Sequence, residues 1–217
     1  MQEIAIANNL GKAFSGRTVF HNVNLTIQPY QPIVVMGGNG CGKSTLLKII
    51  AGELPATTGE VTYRPNIKTA FVPDRFPKLP FSVESYLKHM GRIQGLDASR
   101  IDSYISEYFE LLKMPHEFRK TQISKCSKGT LQKVNILQAL ITTPDLLVLD
   151  EPFAGLDENS VENFIDLLHT LITDGVAILL ACHEKALAQR VSDEIHVFAD
   201  KGLARFDADK GESDGTS

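Results

Sequence analysis

The sequence predicts an α/β fold: a mostly parallel sheet with helices on both faces, an N-terminal antiparallel β part and an inserted helical subdomain. Three observations lead there. The runs Leu146-Leu147-Val148-Leu149 and Val176-Ala177-Ile178-Leu179-Leu180-Ala181 are continuously apolar, as strands buried on both faces of a parallel sheet are. A helical stretch at 159–173 separates them, and alternating buried strands and helices fold as a parallel sheet covered on both sides. Between 74 and 143 the strand signal gives way to apolar residues at helical spacing.

In chain order, residues 3–27 read as short β pieces: Glu3–Ala7, Val19–Phe20 and Val23–Ile27, turning around Ser15-Gly16, with Phe14 in the loop between them. Pro32-Ile33-Val34-Val35-Met36 reads as a buried strand. Leu46-Leu47-Lys48-Ile49-Ile50-Ala51-Gly52 reads as a helix stopped by glycine. Gly59–Tyr63 and Lys68–Val72 are strand candidates on either side of Pro65-Asn66. Asp74–Phe81 is a proline-punctuated apolar loop, and Ser82 can cap a helix reaching about Gln94. In the next helix Ile101, Ile105, Tyr108 and Leu112 form the stripe, flanked by Tyr104 and Phe109. After the second buried strand come a helix near 184–191 and a hairpin of 194–198 with 203–206, turning at Asp200-Lys201-Gly202. The expected organisation is one domain over 1–217: a core of 1–73 and 144–206, a helical insert at 74–143, and a frayed tail at 207–217. That tail holds four acids against one Lys.

Composition narrows the class. The chain has 217 residues, 43% of them apolar and 22% charged, ordinary for a globular protein able to bury a core. A net charge of -4 weighs against nucleic acid as the main partner. No apolar run approaches bilayer length, and Met-Gln-Glu-Ile-Ala lacks the pattern of a signal peptide, so a cytosolic protein is expected. The three cysteines, Cys41, Cys126 and Cys182, have no metal-ligand spacing, which makes reduced thiols the default.

Gly37-Gly38-Asn39-Gly40-Cys41-Gly42-Lys43-Ser44-Thr45 fits G-x-x-x-x-G-K-[ST], a phosphate-binding loop between a strand and a helix. Glycines let consecutive backbone N–H groups curl inward around a phosphate. Lys43 supplies a point charge, the Ser44 hydroxyl can ligate Mg²⁺, and the following helix turns its positive end toward the same anion. A nucleoside triphosphate is the implied ligand, held by Gly37, Asn39, Gly40, Cys41, Gly42, Lys43, Ser44 and Thr45. A bulky adduct on Cys41 should block it.

Asp150 closes an apolar run and is followed at once by Glu151. A carboxylate at the C-terminal end of a buried strand lies at the edge where α/β sheets bind ligands. Asp150 is placed there to hold Mg²⁺, directly or through water, and Glu151 to orient or deprotonate an attacking water. Cys126–Lys133 places Ser127 and Gly129 at a helix start, where a hydroxyl and free N–H groups make an anion site or simply a cap.

The order of these segments resembles the nucleotide-binding subunit of ATP-binding cassette (ABC) transporters over about residues 3–206. Ser127-Lys128-Gly129 resembles the family signature Leu-Ser-Gly-Gly-Gln, from which Cys126 and Lys128 depart. Ala154-Gly155-Leu156-Asp157 resembles the loop crossing the dimer interface. His183 matches the histidine that contacts the γ-phosphate, and Phe14 the aromatic that stacks on adenine. The resemblance implies ATP and Mg²⁺ as cofactors. It implies a second nucleotide-binding subunit, most simply an identical one, with each ATP lying between the phosphate loop of one copy and the signature of the other. It also implies a separate polytopic membrane permease, which would hold the protein on the inner face of the cell membrane.

Where the family has Gln after the strand ending at Val72-Pro73, this chain has Asp74, expected either to reach Mg²⁺ or its water or to cap the loop. Asp74 together with Ser-Lys-Gly resembles the exporter branch that includes bacitracin-type antibiotic export subunits, so the lean is to export. Phe76, Pro77, Leu79, Pro80 and Phe81 are expected either to help form a groove for a helix of the permease or to be buried in the insert's own core. The alternative function is a soluble cassette ATPase acting on ribosomes or DNA; one cassette without a coiled-coil insertion or basic patch weighs against it. A nucleotide-gated scaffold without turnover is opposed by Glu151 and His183.

Overall fold

The computed structural model describes residues 2–206; the expected frayed tail at 207–217 lies outside the described residues. The first two strands, β1 (Ala5–Phe14) and β2 (Arg17–Ile27), are longer than the β pieces read from sequence. The pieces fuse because breaks in the alternation are absorbed by register shifts along β1 rather than by loops. Phe14 accordingly ends β1 instead of lying in a loop, and the chain reverses through Ser15 (φ 48°) and Gly16 (φ 80°). With β4 (Thr58–Tyr63) these strands make a three-stranded antiparallel sheet of order β2-β1-β4.

The main sheet has six strands in the order β5-β6-β7-β3-β8-β9. These are β3 (Ile33–Met36), β5 (Thr69–Val72), β6 (Leu146–Asp150), β7 (Ala177–Ala181), β8 (Glu194–Ala199) and β9 (Gly202–Arg205), parallel except for the edge strand β9. The β8–β9 turn uses Asp200 and Lys201 at φ 47° and 62°, the two left-handed residues that a twist-matched hairpin turn requires. Lys201 also accepts a hydrogen bond from His21 N–H at 2.9 Å, tying the small sheet to the large one.

Among the described residues six α-helices surround the sheets: α1 (Lys43–Ile50), α2 (Val83–Ile93), α3 (Ala98–Leu111), α4 (Lys128–Leu140), α5 (Glu158–Thr173) and α6 (Lys185–Val191). Ser82 caps α2 by accepting from Ser85 N–H at 3.2 Å. The buried stripe of α3 is Ile101, Ile105 and Phe109, continued by the C-cap Leu112, with Tyr108 and Tyr104 half-buried beside it and stacked at 6.2 Å. The stripe is thus rotated from the sequence reading. Phe109 fits the helical repeat as well as Tyr108 does, and lacks a hydroxyl that must reach water or a partner.

Two cores lie on opposite faces of the main sheet. Leu147 and Leu149 of β6, with Ile178 and Leu180 of β7 and Val34 of β3, pack against α2 to α6. Leu146 and Val148, with Leu179 and Ile33, pack against α1 and the antiparallel sheet. This period of two assigns side chains to faces even in strands whose residues are all apolar. It puts Asp150, in phase with Leu146 and Val148, on the side of α1.

The proline loop between β5 and α2 splits its apolar residues. Phe76 meets Tyr86 edge-on at 5.5 Å and Leu79 packs on the helical core, whereas Phe81 remains 54% exposed. Its backbone is held by Ile123 N–H donating to the Phe81 carbonyl at 2.9 Å and Ser124 N–H to that of Leu79 at 3.0 Å. No helix among the described residues is long and apolar enough to cross a membrane.

Candidate functional site

The register brings the site together. Val35 of β3 and Asp150 of β6 both lie opposite Ala181 of β7, so the three strands end level and their following residues share one edge. That is the carboxyl edge, where parallel α/β sheets open a ligand crevice. The glycine loop after β3 is shaped by need as well as by conformation. Gly37 has φ 149°, and an added Cβ would lie 2.7 Å from Cys41 Sγ; Gly42 has φ 121°, and an added Cβ would lie 3.1 Å from Val19 Cγ1. Gly42 is the N-cap of α1, and no side chain caps the helix. The first-turn N–H groups of α1 therefore face the crevice as free donors at its positive end.

Lys43 is only 6% exposed. Its ammonium donates to the carbonyls of Gly37 at 2.8 Å and Gly38 at 3.3 Å, and lies 3.5 Å from Glu151 Oε1. One residue on, the Ser44 hydroxyl donates to Asp150 Oδ1 at 3.0 Å, the contact that the parity of β6 requires. Glu151 departs from the strand at φ 49°, its N–H donating to the Ala181 carbonyl at 3.1 Å. Its other oxygen, Oε2, is 2.8 Å from His183 Nδ1. His183 follows β7, and its ring is largely exposed.

Burial pushes the Asp150 carboxyl above the ordinary carboxylate range. The Ser44 hydroxyl draws it back, while the charges of Asp74 and Glu151 act in the same direction as burial. A buried carboxylate accepting from a hydroxyl supplies hard oxygen donors of the kind that Mg²⁺ takes. Among the described residues no group of three or more His, Cys, Asp or Glu side chains is arranged to hold a metal. Two protein ligands, Ser44 and Asp150, would leave the other positions to phosphate and water, as Mg²⁺ prefers. Ser44 and Asp150 are the residues in place to hold it, with Asp74 half-buried after Pro73.

Two open cavities flank the glycine loop. One, of about 580 Å³, is lined by Phe14, Val19, Gly40, Cys41 and Phe198. Phe14 is 48% exposed there, with Lys12 Nζ 4.9 Å from its ring centre. The other, of about 560 Å³, is lined by Gly37, Gly38, Asn39, His183 and Phe206. Sequence reasoning passed over Phe198, whose ring packs on Phe20 at 5.7 Å and completes the Phe14 cavity. Its only signal was an aromatic residue in a hairpin otherwise read as structural.

Ser127, Lys128 and Gly129 are gathered elsewhere. Ser127 caps α4, its Oγ accepting from Thr130 N–H at 3.1 Å. The cavity beside it, about 160 Å³, is lined by Ser127, Gly129, Thr130, Lys133 and Asp157 and shares no residue with the two around the glycine loop. Gly129 lies so near the 154–157 loop that an added Cβ would sit 2.7 Å from the Gly155 carbonyl oxygen. Asp157 caps α5 by accepting from Ser160 N–H at 2.8 Å, which holds its carboxyl below the usual range.

An uncapped helix start behind a glycine loop, a buried lysine, and a strand-end Asp-Glu pair facing a histidine define a phosphate-loop nucleotide triphosphatase. Comparison with known proteins places it more closely: the family model described as ABC transporter matches residues 20–154. The zinc import ATP-binding protein ZnuC of Pasteurella multocida (strain Pm70) is 33% identical over 86% of this chain and 70% of its own length. The protein of the same name from Haemophilus influenzae is 32% identical over 89% of this chain and 71% of its own. Among solved structures, an ATP-binding subunit of an ABC transporter superposes with TM-score 0.85 at 22% identity, covering 95% of this chain and 90% of the other. A dimeric ATP-binding cassette bound to ADP and Pi gives 0.84 at 24% identity, covering 93% and 97%. The chain belongs to the ABC transporter family, as an ATP-binding, ATP-hydrolysing subunit. The expected lean to a bacitracin-type exporter gains no support, since these relatives carry import names.

Proposed function

We propose that the chain powers transport by a separate polytopic permease, working as a head-to-tail pair that closes on ATP. The observation that carries this reading is the separation of two helix starts, the uncapped α1 behind the glycine loop and α4 behind its cap Ser127, beside cavities with no residue in common. A second copy can supply to each phosphate loop the donors of Ser127 and Gly129 that its own chain keeps elsewhere, with Asp157 and its loop at the seam. Such donors aimed at a γ-phosphate add electrostatic stabilisation.

Within each site the adenine stacks on Phe14 and the β- and γ-phosphates enter the cradle of Gly37 to Thr45. Lys43 then exchanges the Gly37 and Gly38 carbonyls for phosphate oxygens. Ser44 and Asp150, with Asp74 nearby, would hold Mg²⁺, which would neutralise the charge developing on the phosphates. Glu151 accepts a proton from, or orients, the water in line with the γ-phosphorus. His183 holds Glu151 through Nδ1 and meets the γ-phosphate with the rest of its ring. Hydrolysis puts the charge of the released phosphate between the copies and opens them.

The import names of the relatives favour uptake over export, and make zinc the first cargo to try. The cargo pocket itself belongs to the permease. Phe81, 54% exposed on the proline loop, is an apolar contact open to a permease helix. The protein then resides in the cytoplasm, on the inner face of the cell membrane. Affinity purification from detergent-solubilised membranes tests this. A polytopic membrane protein recovered in stoichiometric amount supports it; recovery with ribosomes and no membrane protein favours the soluble alternative.

A further inference from the structure

We propose that Asn135, Gln138 and Tyr86 are positioning residues for the nucleotide site, forming one hydrogen-bonded relay that fixes the loop carrying Asp74. The proposal rests on the reading that Asp74 serves the site's cation. Asn135 lies midway along α4 and is fully buried among apolar neighbours. An amide there is costly unless both its ends are bonded. Its Nδ2 donates to the Pro73 carbonyl at 2.8 Å, and its Oδ1 accepts from Gln138 Nε2 at 3.5 Å. Gln138 Oε1 in turn accepts from the Tyr86 hydroxyl at 2.9 Å. The ring of Tyr86 meets Phe76 edge-on at 5.5 Å.

The relay therefore grips the chain on both sides of Asp74, by the carbonyl of residue 73 and by the ring of residue 76. The first grip is the stiffer. The Pro73 carbonyl and the Asp74 N–H and Cα belong to one rigid peptide plane. The proline ring also locks its own φ. Fixing that oxygen consequently sets where the Asp74 side chain starts. Two carboxylates that share one cation repel until it joins them, so a cation-serving Asp74 requires support from behind. An apolar side chain at 135 would fill the same space, but only a donor can hold Pro73.

The test uses the full chain loaded with a non-hydrolysable ATP analogue, with Mn²⁺ binding read by electron paramagnetic resonance. Outer-shell partners of a metal site typically carry 10–100-fold in affinity. Asn135→Leu is expected to weaken Mn²⁺ binding roughly tenfold, and Tyr86→Phe roughly threefold, at the lower edge of that effect. Affinity for the analogue in EDTA should stay within about twofold, because the relay does not touch the phosphate loop. Asp74→Asn should weaken Mn²⁺ as much as Asn135→Leu, and the double variant no further. If Asp74→Asn weakens Mn²⁺ while Asn135→Leu and Tyr86→Phe do not, the relay is overturned and the reading of Asp74 stands. If Asp74→Asn has no effect, both fall. Should Asn135→Leu fail to fold, Tyr86→Phe, which removes a single hydroxyl, decides alone.

Discussion

The ammonium of Lys43 lies 3.5 Å from one carboxylate oxygen of Glu151, and His183 Nδ1 lies 2.8 Å from the other. The cation we propose for phosphate and the base we propose for water are therefore paired with each other. Glu151 is largely buried, so this pairing also spares both groups an unpartnered charge. On the proposed reading an entering phosphate would compete for Lys43 and release one oxygen of Glu151 toward water, while His183 would keep the other.

His183→Ala should consequently act on turnover rather than on binding. Phosphate release should fall by roughly 10²-fold, the low end of what a positioned acid–base group contributes, with ATP affinity changed less than about threefold. A loss in affinity matching the loss in kcat would place His183 in ground-state binding instead.

The raised carboxyl of Asp150 gives stability a defined pH dependence. The folded state binds this proton more tightly than the unfolded chain does. Its contribution is full below the ordinary aspartate value near 3.9 and is lost as pH rises through the higher folded value. Asp150→Asn removes that loss, so the variant should melt higher than the parent near neutral pH, by about 2–4 °C for each kcal/mol recovered. The gain should shrink as pH falls, and Mg²⁺-dependent hydrolysis should be abolished. Melting curves across pH for both chains check it; a lower melting temperature for the variant at neutral pH would contradict it.

Thiol chemistry should be selective. Burial pushes the Cys182 thiol up to about 11 and that of Cys126 upward as well, whereas Cys41 is half-buried beside Gly37 in the phosphate loop. A maleimide should modify Cys41 first, nucleotide binding should be lost with it, and ATP should protect. Cys41→Ala should be insensitive. Equal inactivation of that variant would assign the effect to another cysteine.

Gly155 has φ 81°, and an added Cβ would lie 2.7 Å from Lys128 Cδ. Gly155→Ala should cost about 1–2 kcal/mol from its left-handed backbone alone, plus a steric part that Lys128→Ala relieves. Gly129→Ala meets a backbone carbonyl at 2.7 Å and should not be rescued. Denaturant unfolding of the two pairs tests this, with additivity in the Gly155–Lys128 pair counting against the contact.

Much of this was legible in the sequence because the strands follow simple rules. Unbroken apolar runs in β6 and β7 imposed a parallel sheet, and the period of two put Asp150 on the face of Ser44. Ser82, Ser127 and Asp157 cap helices that their residue types announce. What escaped depends on where the chain bends. Nothing local says that Glu151 leaves β6 with a positive φ and so meets both Lys43 and His183. In α3, two aromatic residues one position apart fit the same period, and packing chose Phe109. The bond from Asn135 to the Pro73 carbonyl was not legible because the two residues lie 62 positions apart.

The most direct test of the central claim, that each nucleotide site is shared between two copies, is light scattering after size exclusion on Glu151→Gln beside the unmodified chain. Removing the base while keeping the shape should trap the closed pair. The account predicts a dimer that forms with ATP in the variant and dissociates when ATP is withdrawn, while the parent remains monomeric as it turns over. A variant that binds ATP yet remains a monomer at every concentration would contradict closure by this chain on its own copy.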